Sequence, residues 1–395
     1  MSKPDNWRLA RLHDIASIHS GGTPARDTPD FWGGTIPWLT PGELSADAPV
    51  ITTHTQDSLT ETGLRSSGAV LMPPGSLLVT TRATLGACTI AGVPMATNQG
   101  FKNLIFDPNV ADPRFYRYLI TRMGGKLAQR ASGTTFLEIS KKEFGNLRVP
   151  CPPLAEQLRI VEILDSLLDA EQSIRASITK RRVLRSEVMR HLFRDAEFPS
   201  VPLGQVAKVS SGSTPSRSRA DYWESGNIPW VRTAEVNFSV ITETAERVTQ
   251  SAVTHTGLKI HPKNTVLLAM YGEGVTRGRS AVLGINASVN QATAAIFCDT
   301  NRLDYRYLHY WLELNYEEIR KIGHGSNQTN LSGSLVGALQ VPLPTLPEQR
   351  KVVEPLQVLD KNISVDAEKL SKLHSLKEAI TDDLLSGKVR SSSLA

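Results

Sequence analysis

Cysteine is scarce in this chain. Its three residues, Cys88, Cys151 and Cys298, show no paired spacing, which excludes a disulfide framework and leaves no zinc signature. Long apolar runs are missing too. Nothing approaches the roughly 18–20 consecutive apolar residues of a membrane span, and the start, MSKPDNWRLARL, has no apolar secretory core. A cytoplasmic protein is the expectation. Neither charge dominates, with 44 Lys and Arg against 39 Asp and Glu and a net charge of +5. Most of that small excess sits in the N-terminal half; it permits nucleic-acid binding without demanding it.

Catalytic motifs are also lacking. There is no G-x-x-x-x-G-K-[ST] loop, so no ATP-driven motor, and no H-E-x-x-H zinc site. A DNA methyltransferase would need an Asn/Asp-Pro-Pro-aromatic tetrapeptide and a Gly-rich cofactor loop. The nearest matches are PCPPL (150–154), which lacks the amide or acid and the aromatic, and GEG (272–274). Nine scattered histidines define no Ser–His–Asp set. The chain is therefore expected to be non-catalytic, with no cofactor or metal of its own.

What is present is a repetition. Aromatic residues make up only 6% of the chain, yet four of its six tryptophans fall in two short phrases, DFWGGTIPW (30–38) and DYWESGNIPW (221–230). Other landmarks follow in the same order. GTP (22–24) is answered by STP (213–215), TGL (62–64) by TGL (256–258), and TNQ (97–99) by VNQ (289–291). YRYL (116–119) is answered by YRYL (305–308), and VPCPPLAEQLRIVE (149–162) by VPLPTLPEQRKVVE (341–354). Two copies of about 190 residues are too few and too large for a solenoid; each is big enough for its own core.

Each copy has two parts. The first is rich in Gly, Pro and Thr. Its short apolar runs, SLLVTT (76–81), NLIFD (103–107), TVLLAM (265–270) and ATAAIFCD (292–299), are expected strands. Residues 115–131 and 305–322 are expected helices with breaks near their glycines. The second part is a long helix. From Leu154 to Phe193 there is no Gly or Pro, and Val161, Leu164, Leu167, Ile174, Ile178, Leu184, Val188 and Leu192 are placed on one stripe. From Leu346 to Leu385 the stripe is Val353, Leu356, Ile363, Ala367, Leu370, Leu373, Ile380 and Leu384. Thr345 and Glu348 have capping-box spacing, Pro347 fits a first turn, Gly387 fits a C-terminal cap, and Pro355 is expected to kink or delay the helix. Such helices would span about 60 Å. Two arrangements remain: an antiparallel coiled coil separating two globular heads, or two helices each lying on its own domain.

The ordered landmarks resemble the specificity subunits of type I restriction–modification systems. The matching stretches are GGTPARDTPDFWGGTIPW and SGSTPSRSRADYWESGNIPW, then SGTTFLEIS (132–140) and HGSNQTNLS (324–332), the two EQ-containing helix starts, and a closing LLSGKV (384–389). The resemblance covers nearly the whole chain. It implies a mixed α+β fold: two similar α/β target recognition domains, joined by two long helices that pair as an antiparallel coiled-coil spacer with pseudo-two-fold symmetry. The expected divisions are residues 1–150 and 196–342 for recognition, and 151–195 and 343–395 for the spacer. By the resemblance, each domain reads half of a bipartite double-stranded DNA target. The helices set the gap and dock two methyltransferase subunits, to which restriction subunits join. S-adenosylmethionine belongs to the methyltransferase, and ATP and Mg to the restriction partner if one is present.

Candidate contacts follow from residue chemistry. Arg82 and Thr84 in TTRATLG (80–86), and Arg277 and Arg279 in MYGEGVTRGR (270–279), lie in equivalent loops. Such arginines suit guanine edges or phosphates, or else surface ion pairs. Asn98, Gln99 and the nearby Lys102, with Asn290 and Gln291, suit adenine; because NQ recurs, a turn network is the competing reading. Thr134 and Thr135 against Ser326, Asn327 and Gln328 differ between copies, as readers of different half-sites must. Leu164, Leu167, Ile174, Ile178, Leu184, Leu356, Ile363, Leu370, Leu373 and Ile380 are the candidate spacer and partner-docking positions. KRRVLR (180–185) with Arg190 and Arg194 is a basic helix end, either a solvated face or a phosphate or partner contact. The four tryptophans either cap the domain cores or stack on unpaired bases. A different class, a two-headed adaptor for protein or carbohydrate, fits the same architecture.

Overall fold

The computed structural model describes residues 7–44, 49–82, 84–131, 138–194, 198–272, 275–322 and 330–393. The chain divides into two compact units: residues 1–174 with 369–395, and residues 175–368. Each unit therefore takes its globular part from one copy of the repeat and a piece of both long helices.

The first unit is built on a five-stranded sheet in the order Ala16–Ser20, Phe101–Phe106, Leu77–Thr80, Cys88–Ala91, Ile51–Thr52. All neighbours are antiparallel except the last pair. Leu77–Thr80 is buried at every position because both faces are covered. Leu77 and Val79 face a core with Leu104, Phe106 and the helix Pro113–Arg122, while Leu78 packs with Leu39, Met72, Met95 and Phe101. A strand covered on both sides is written as a continuous apolar run. A three-stranded sheet, Asp57–Leu59, Trp32–Leu39, Ala96–Thr97, carries the tryptophan phrase. Arg8–Arg11 pairs antiparallel with Arg148–Cys151, just before the first long helix.

The second unit repeats this plan. Its five-stranded sheet runs Ala207–Ser211, Thr293–Cys298, Val266–Ala269, Ser280–Leu283, Val240–Ile241, and its three-stranded sheet runs Glu246–Val248, Ile228–Val231, Ser288–Val289. Ser200–Pro202 pairs with Gln340–Pro342 before the second long helix. The expected strands and helices are present. The helical segments break after Arg122 and after Leu314, giving Pro113–Arg122 with Gly124–Arg130, and Tyr305–Leu314 with Tyr316–Lys321.

One alignment from the sequence shifts. Asp112 and Asp304 cap equivalent helices, accepting from the N–H of Arg114 and Arg306, each at 2.8 Å. This sets Arg114 against Arg306 and Tyr118 against Tyr310. The two YRYL strings thus lie about one turn out of register, and their identity is coincidental.

The long helices are Leu154–Arg194 and Leu346–Ser386. Glu348 accepts from the N–H and hydroxyl of Thr345 at 2.8 and 2.7 Å, which holds its carboxyl below the usual range. Gly387 closes the far end with φ +75°. Pro355 interrupts nothing: the helix starts at Leu346 and runs through it. Pro355 is exposed, so water can satisfy the carbonyl four residues back that loses its N–H partner, while buried Val353 and Leu356 anchor the turn.

Within each unit the helices pass antiparallel and also enter the domain core, so both arrangements expected from the sequence hold locally. In the first unit Ile160, Val161 and Leu164 share one core with Leu384 and Leu385, and buried Glu171 pairs with Lys377. In the second, Met189 packs with Val352, Val353 and Leu356, and Arg181 meets Asp366 at 3.1 Å.

The repeated EQ of the helix start has a structural cause. Gln157 and Gln349 are fully buried. Gln157 donates to the carbonyls of Val110 and Pro152 at 2.9 and 2.8 Å and accepts from the Asp112 N–H at 2.9 Å. Gln349 does the same with Arg302, Pro344 and Asp304 at 2.8, 2.9 and 2.8 Å. Each amide thus ties the helix start to the loop that caps the domain helix. Gln157→Leu or Gln349→Leu removes the partner of a buried proline carbonyl, Pro152 or Pro344, and of two backbone groups nearer the surface. Each should cost about 2–4 kcal/mol, at 1–3 kcal/mol for each group left unsatisfied with partial relaxation. Thermal unfolding of the full chain checks this, and an unchanged midpoint would refute it.

Candidate nucleic-acid interface

The scattered repeated phrases meet in space. In the first unit the GTP loop lies against the TNQ turn: Gly22 N–H donates to the Thr97 carbonyl at 2.9 Å. A Cβ on Gly21 would stand 1.9 Å from the Asn98 carbonyl oxygen, so only glycine fits. Trp38 is 1% exposed and its indole N–H donates to the Gly22 carbonyl at 2.9 Å. Trp32 sits edge-on to it, 5.0 Å between centroids, and donates to the Ala25 carbonyl at 3.0 Å. Two indoles therefore stitch the loop onto the three-stranded sheet.

The second unit uses the same stitches. Trp230 donates to Ser213 and Trp223 to Ser216, both at 3.1 Å, and the rings meet edge-on at 5.0 Å. A Cβ on Gly212 would stand 1.9 Å from the Val289 carbonyl oxygen. Trp38 and Trp230 are packing residues; neither has a face free for a base.

Beside this cluster, three chain segments line up. In the first unit Thr81 N–H donates to the Gly100 carbonyl at 2.7 Å, and Ile139 N–H to the Thr81 carbonyl at 3.1 Å. In the second, Met270 N–H donates to Ala292 at 2.8 Å, and Leu331 N–H to Met270 at 3.1 Å. The loop after the central strand, the NQ turn and the segment before the domain's last short helix are thereby held side by side.

The candidate contacts divide within this frame. Arg82 is half-buried and its backbone bridges Glu138; Thr84 is exposed. Arg279 is half-buried with its Nε buried and without a hydrogen-bond partner among the described residues. Asn98 caps its own turn, accepting from the Gly100 N–H at 2.8 Å. Asn290 donates to Thr233 and accepts from Thr293, each at 2.8 Å. Both asparagines thus serve the turn network. Gln99 and Gln291 are exposed and accept from the hydroxyls of Thr23 and Thr214.

Lys102 and Arg277 depart from the expected surface role. Lys102 is 4% exposed, with its ammonium 3.4 Å from Glu138. It lies in the interior strand Phe101–Phe106, where the pleat turns its side chain under the adjoining loop. Arg277 is buried, donating to the Arg320 carbonyl at 2.6 Å. Thr134, Thr135, Ser326, Asn327 and Gln328 lie outside the described residues.

On the helices, Leu164, Ile178 and Leu356 are buried, and Leu167, Ile174, Ile363, Leu370, Leu373 and Ile380 are half-buried. Leu184 is not part of the buried stripe; it is 50% exposed. Six residues advance a helix by about 600°, which sets Leu184 roughly 120° from Ile178. The buried side continues through Arg185 and Met189 instead. Ala367 is likewise exposed. Val183, Leu184 and Val358 form the large exposed apolar positions of the second unit's helical segments, with Val365 beyond them.

Sequence reasoning passed over two arginines. Arg26 lies 4.0 Å over the Trp32 ring and 4.8 Å from Trp38; Arg217 lies 3.7 Å over Trp223 and 5.2 Å from Trp230. The signal was present, as both occur inside the repeated phrase, in PARDTPDFW and PSRSRADYW.

Comparison with known proteins agrees with the repeat. The family model described as type I restriction modification DNA specificity domain matches residues 4–180 and 196–375. The chain is 24% identical over 408 aligned positions to the type I restriction enzyme MjaIX specificity subunit of Methanocaldococcus jannaschii, covering 98% of this chain and 94% of that protein. Its fold is similar to the type I restriction-modification S subunit from M. genitalium, with TM-score 0.64, 17% identity and 98% of each chain covered. It is also similar to the HsdS subunit from Thermoanaerobacter tengcongensis, with TM-score 0.53, 19% identity, and 98% and 99% covered.

Removing the Trp38 indole opens a cavity and frees the loop. Trp38→Ala should cost about 3–5 kcal/mol, read as a lowered unfolding midpoint. A normally stable variant that has lost DNA binding would instead make Trp38 a base-stacking residue.

Proposed function

The chain belongs to the type I restriction modification DNA specificity family, and from that premise we propose that it selects the DNA target of a multisubunit methyltransferase and endonuclease. The observation that carries this is the duplication of one frame with its own loop cluster in each unit. Residues 1–150 and 196–342 are the two readers, each engaging one half of a bipartite duplex target. Residues 151–195 and 343–395 are the spacer that sets the gap between half-sites, because half-site spacing follows protein geometry.

The chain itself does no chemistry in this reading. S-adenosylmethionine binds the methyltransferase partner, and ATP and Mg the restriction partner where one joins. Two methyltransferase subunits dock on the helices. The exposed apolar neighbours Val183 and Leu184 on the first long helix, and Val358 on the second, support such partner faces, since exposed apolar side chains favour association. Among the described residues no helix is long and apolar enough to cross a membrane.

A methylation map of DNA from a host expressing the methyltransferase partner, with and without this chain, tests the reading. A two-part motif with a fixed gap should appear only when the chain is present. An unchanged map from a verified, assembled complex would favour a two-headed adaptor for protein or carbohydrate. Exchanging residues 1–150 for those of a relative should change one half of the motif, and a change in both halves would refute independent reading. Val183→Glu with Leu184→Glu should weaken co-purification of the methyltransferase by tenfold or more. Both positions are exposed, so unfolding should shift by no more than about 0.5 kcal/mol each. Full retention of the partner would remove this face from the interface.

A further inference from the structure

Arg26 and Arg217 occupy the same place in the two copies of the frame. Each guanidinium lies over the first tryptophan of a pair and beside the second, and each makes one ion pair. Arg26 meets Asp57 at 2.8 Å, and Arg217 meets Glu246 at 2.6 Å. Each side chain remains 55% exposed. In the second unit Glu246 is shared with Arg232 at 3.4 Å, and Arg232 also meets Glu235 at 3.8 Å. Both arginines sit on the loop that touches the NQ turn, through Thr23 with Gln99 and Thr214 with Gln291.

A role confined to the fold leaves much of this unexplained. The loop is already fastened by two indole N–H bonds in each unit, and a half-exposed ion pair adds little to stability. Stacking on the rings instead removes the rotational freedom of a long side chain. It presents a planar donor fork, suited to a phosphate's oxygens, at fixed height above the loop cluster. A residue reading bases has to differ between two half-sites of different sequence. A residue kept in both frames, on the same ring pair, suits the part of DNA that does not vary.

We propose that Arg26 and Arg217 are matched contacts to the DNA backbone, each presenting a ring-stacked guanidinium to a phosphate of the half-site its own unit engages. This rests on the duplex-reading function above. The contacts set register and orientation without conveying sequence. The carboxylate beside each arginine is the competitor that the phosphate displaces, and it holds the fork in place when DNA is absent.

The experiment measures duplex binding by the assembled complex of the full chain with its methyltransferase, across a salt series, on cognate and unrelated duplexes. Arg26→Gln and Arg217→Gln should each flatten the slope of log affinity against log salt by about one unit, as expected for one lost phosphate contact on B-form DNA. The loss should be equal on both duplexes and leave the methylated motif unchanged. Arg26→Lys keeps the charge and should keep the slope. Asp57→Asn frees the guanidinium and should tighten binding several-fold, and it decides the matter if a Gln variant does not fold. Unchanged slopes in the Gln variants, or no gain from Asp57→Asn, would return both arginines to capping the rings. A loss confined to the cognate duplex would make them base readers and overturn the phosphate assignment. If the unaltered complex binds no duplex at all, the duplex-reading function falls first.

Discussion

A single buried amide at the start of each long helix constrains most of what surrounds it. Gln157 and Gln349, themselves fully buried, each hold two carbonyls and one N–H. One of those groups belongs to the aspartate that caps the domain helix, so the long helix and the domain helix are oriented by the same side chain. The long helix then delivers Ile160, Val161 and Leu164, or Val352, Val353 and Leu356, into the core. Those cores cover one face of a five-stranded sheet whose central strand is apolar on both sides. Without the long helix each core would lose three of its buried side chains. The helix is thus part of the domain that it leaves.

With the frame held in this way, the loops are free to differ. The turn glycines Gly86 and Gly278 are equivalent, since their N–H groups donate to Thr80 and Ala269 at the ends of matching strands, at 2.9 and 2.8 Å. From that anchor, the positions of Leu85 and Ala87 in the first unit are taken by Arg277 and Arg279 in the second, and that of Ala128 by Arg320. The frame residues, Trp38 with Trp230, Gly21 with Gly212 and Gln157 with Gln349, stay the same. Difference is concentrated where side chains leave the scaffold, which is how one fold can serve two recognition tasks.

Much of the frame was legible in the sequence because it is written in strong local signals. The all-apolar runs, the glycine-free helices, the capping box at Thr345 and Glu348, and the doubled order of landmarks each have one physical reading. What was hidden depends on contacts between distant segments. No periodicity shows that Lys102 lies buried beside Glu138. The YRYL identity misled because one helical turn preserves a face while shifting register. Leu184 was assigned by hydrophobicity to a stripe that its angular position excludes. The arginines over the tryptophan pairs were written inside the repeat, but their stacking appears only when the loop is folded back on the strand.

The ion pairs between domain and helix differ in sign between the two units. In the first unit the domain helix presents a cation, Arg122, to Glu378 and Asp382 of the second long helix, at 2.8 and 3.3 Å. In the second unit the polarity is inverted: the domain helix presents Glu313 to Arg185 of the first long helix, at 2.6 Å. Buried and half-buried pairs add little net stability, because desolvation offsets their attraction. What they contribute is orientation. Arg122 fixes the first domain helix against the second long helix, and Glu313 fixes the second domain helix against the first. Each domain is thus held to its own long helix by a buried glutamine and to the other by an ion pair. The sign of that pair can differ between the units because the glutamine, kept in both, already sets the domain's place.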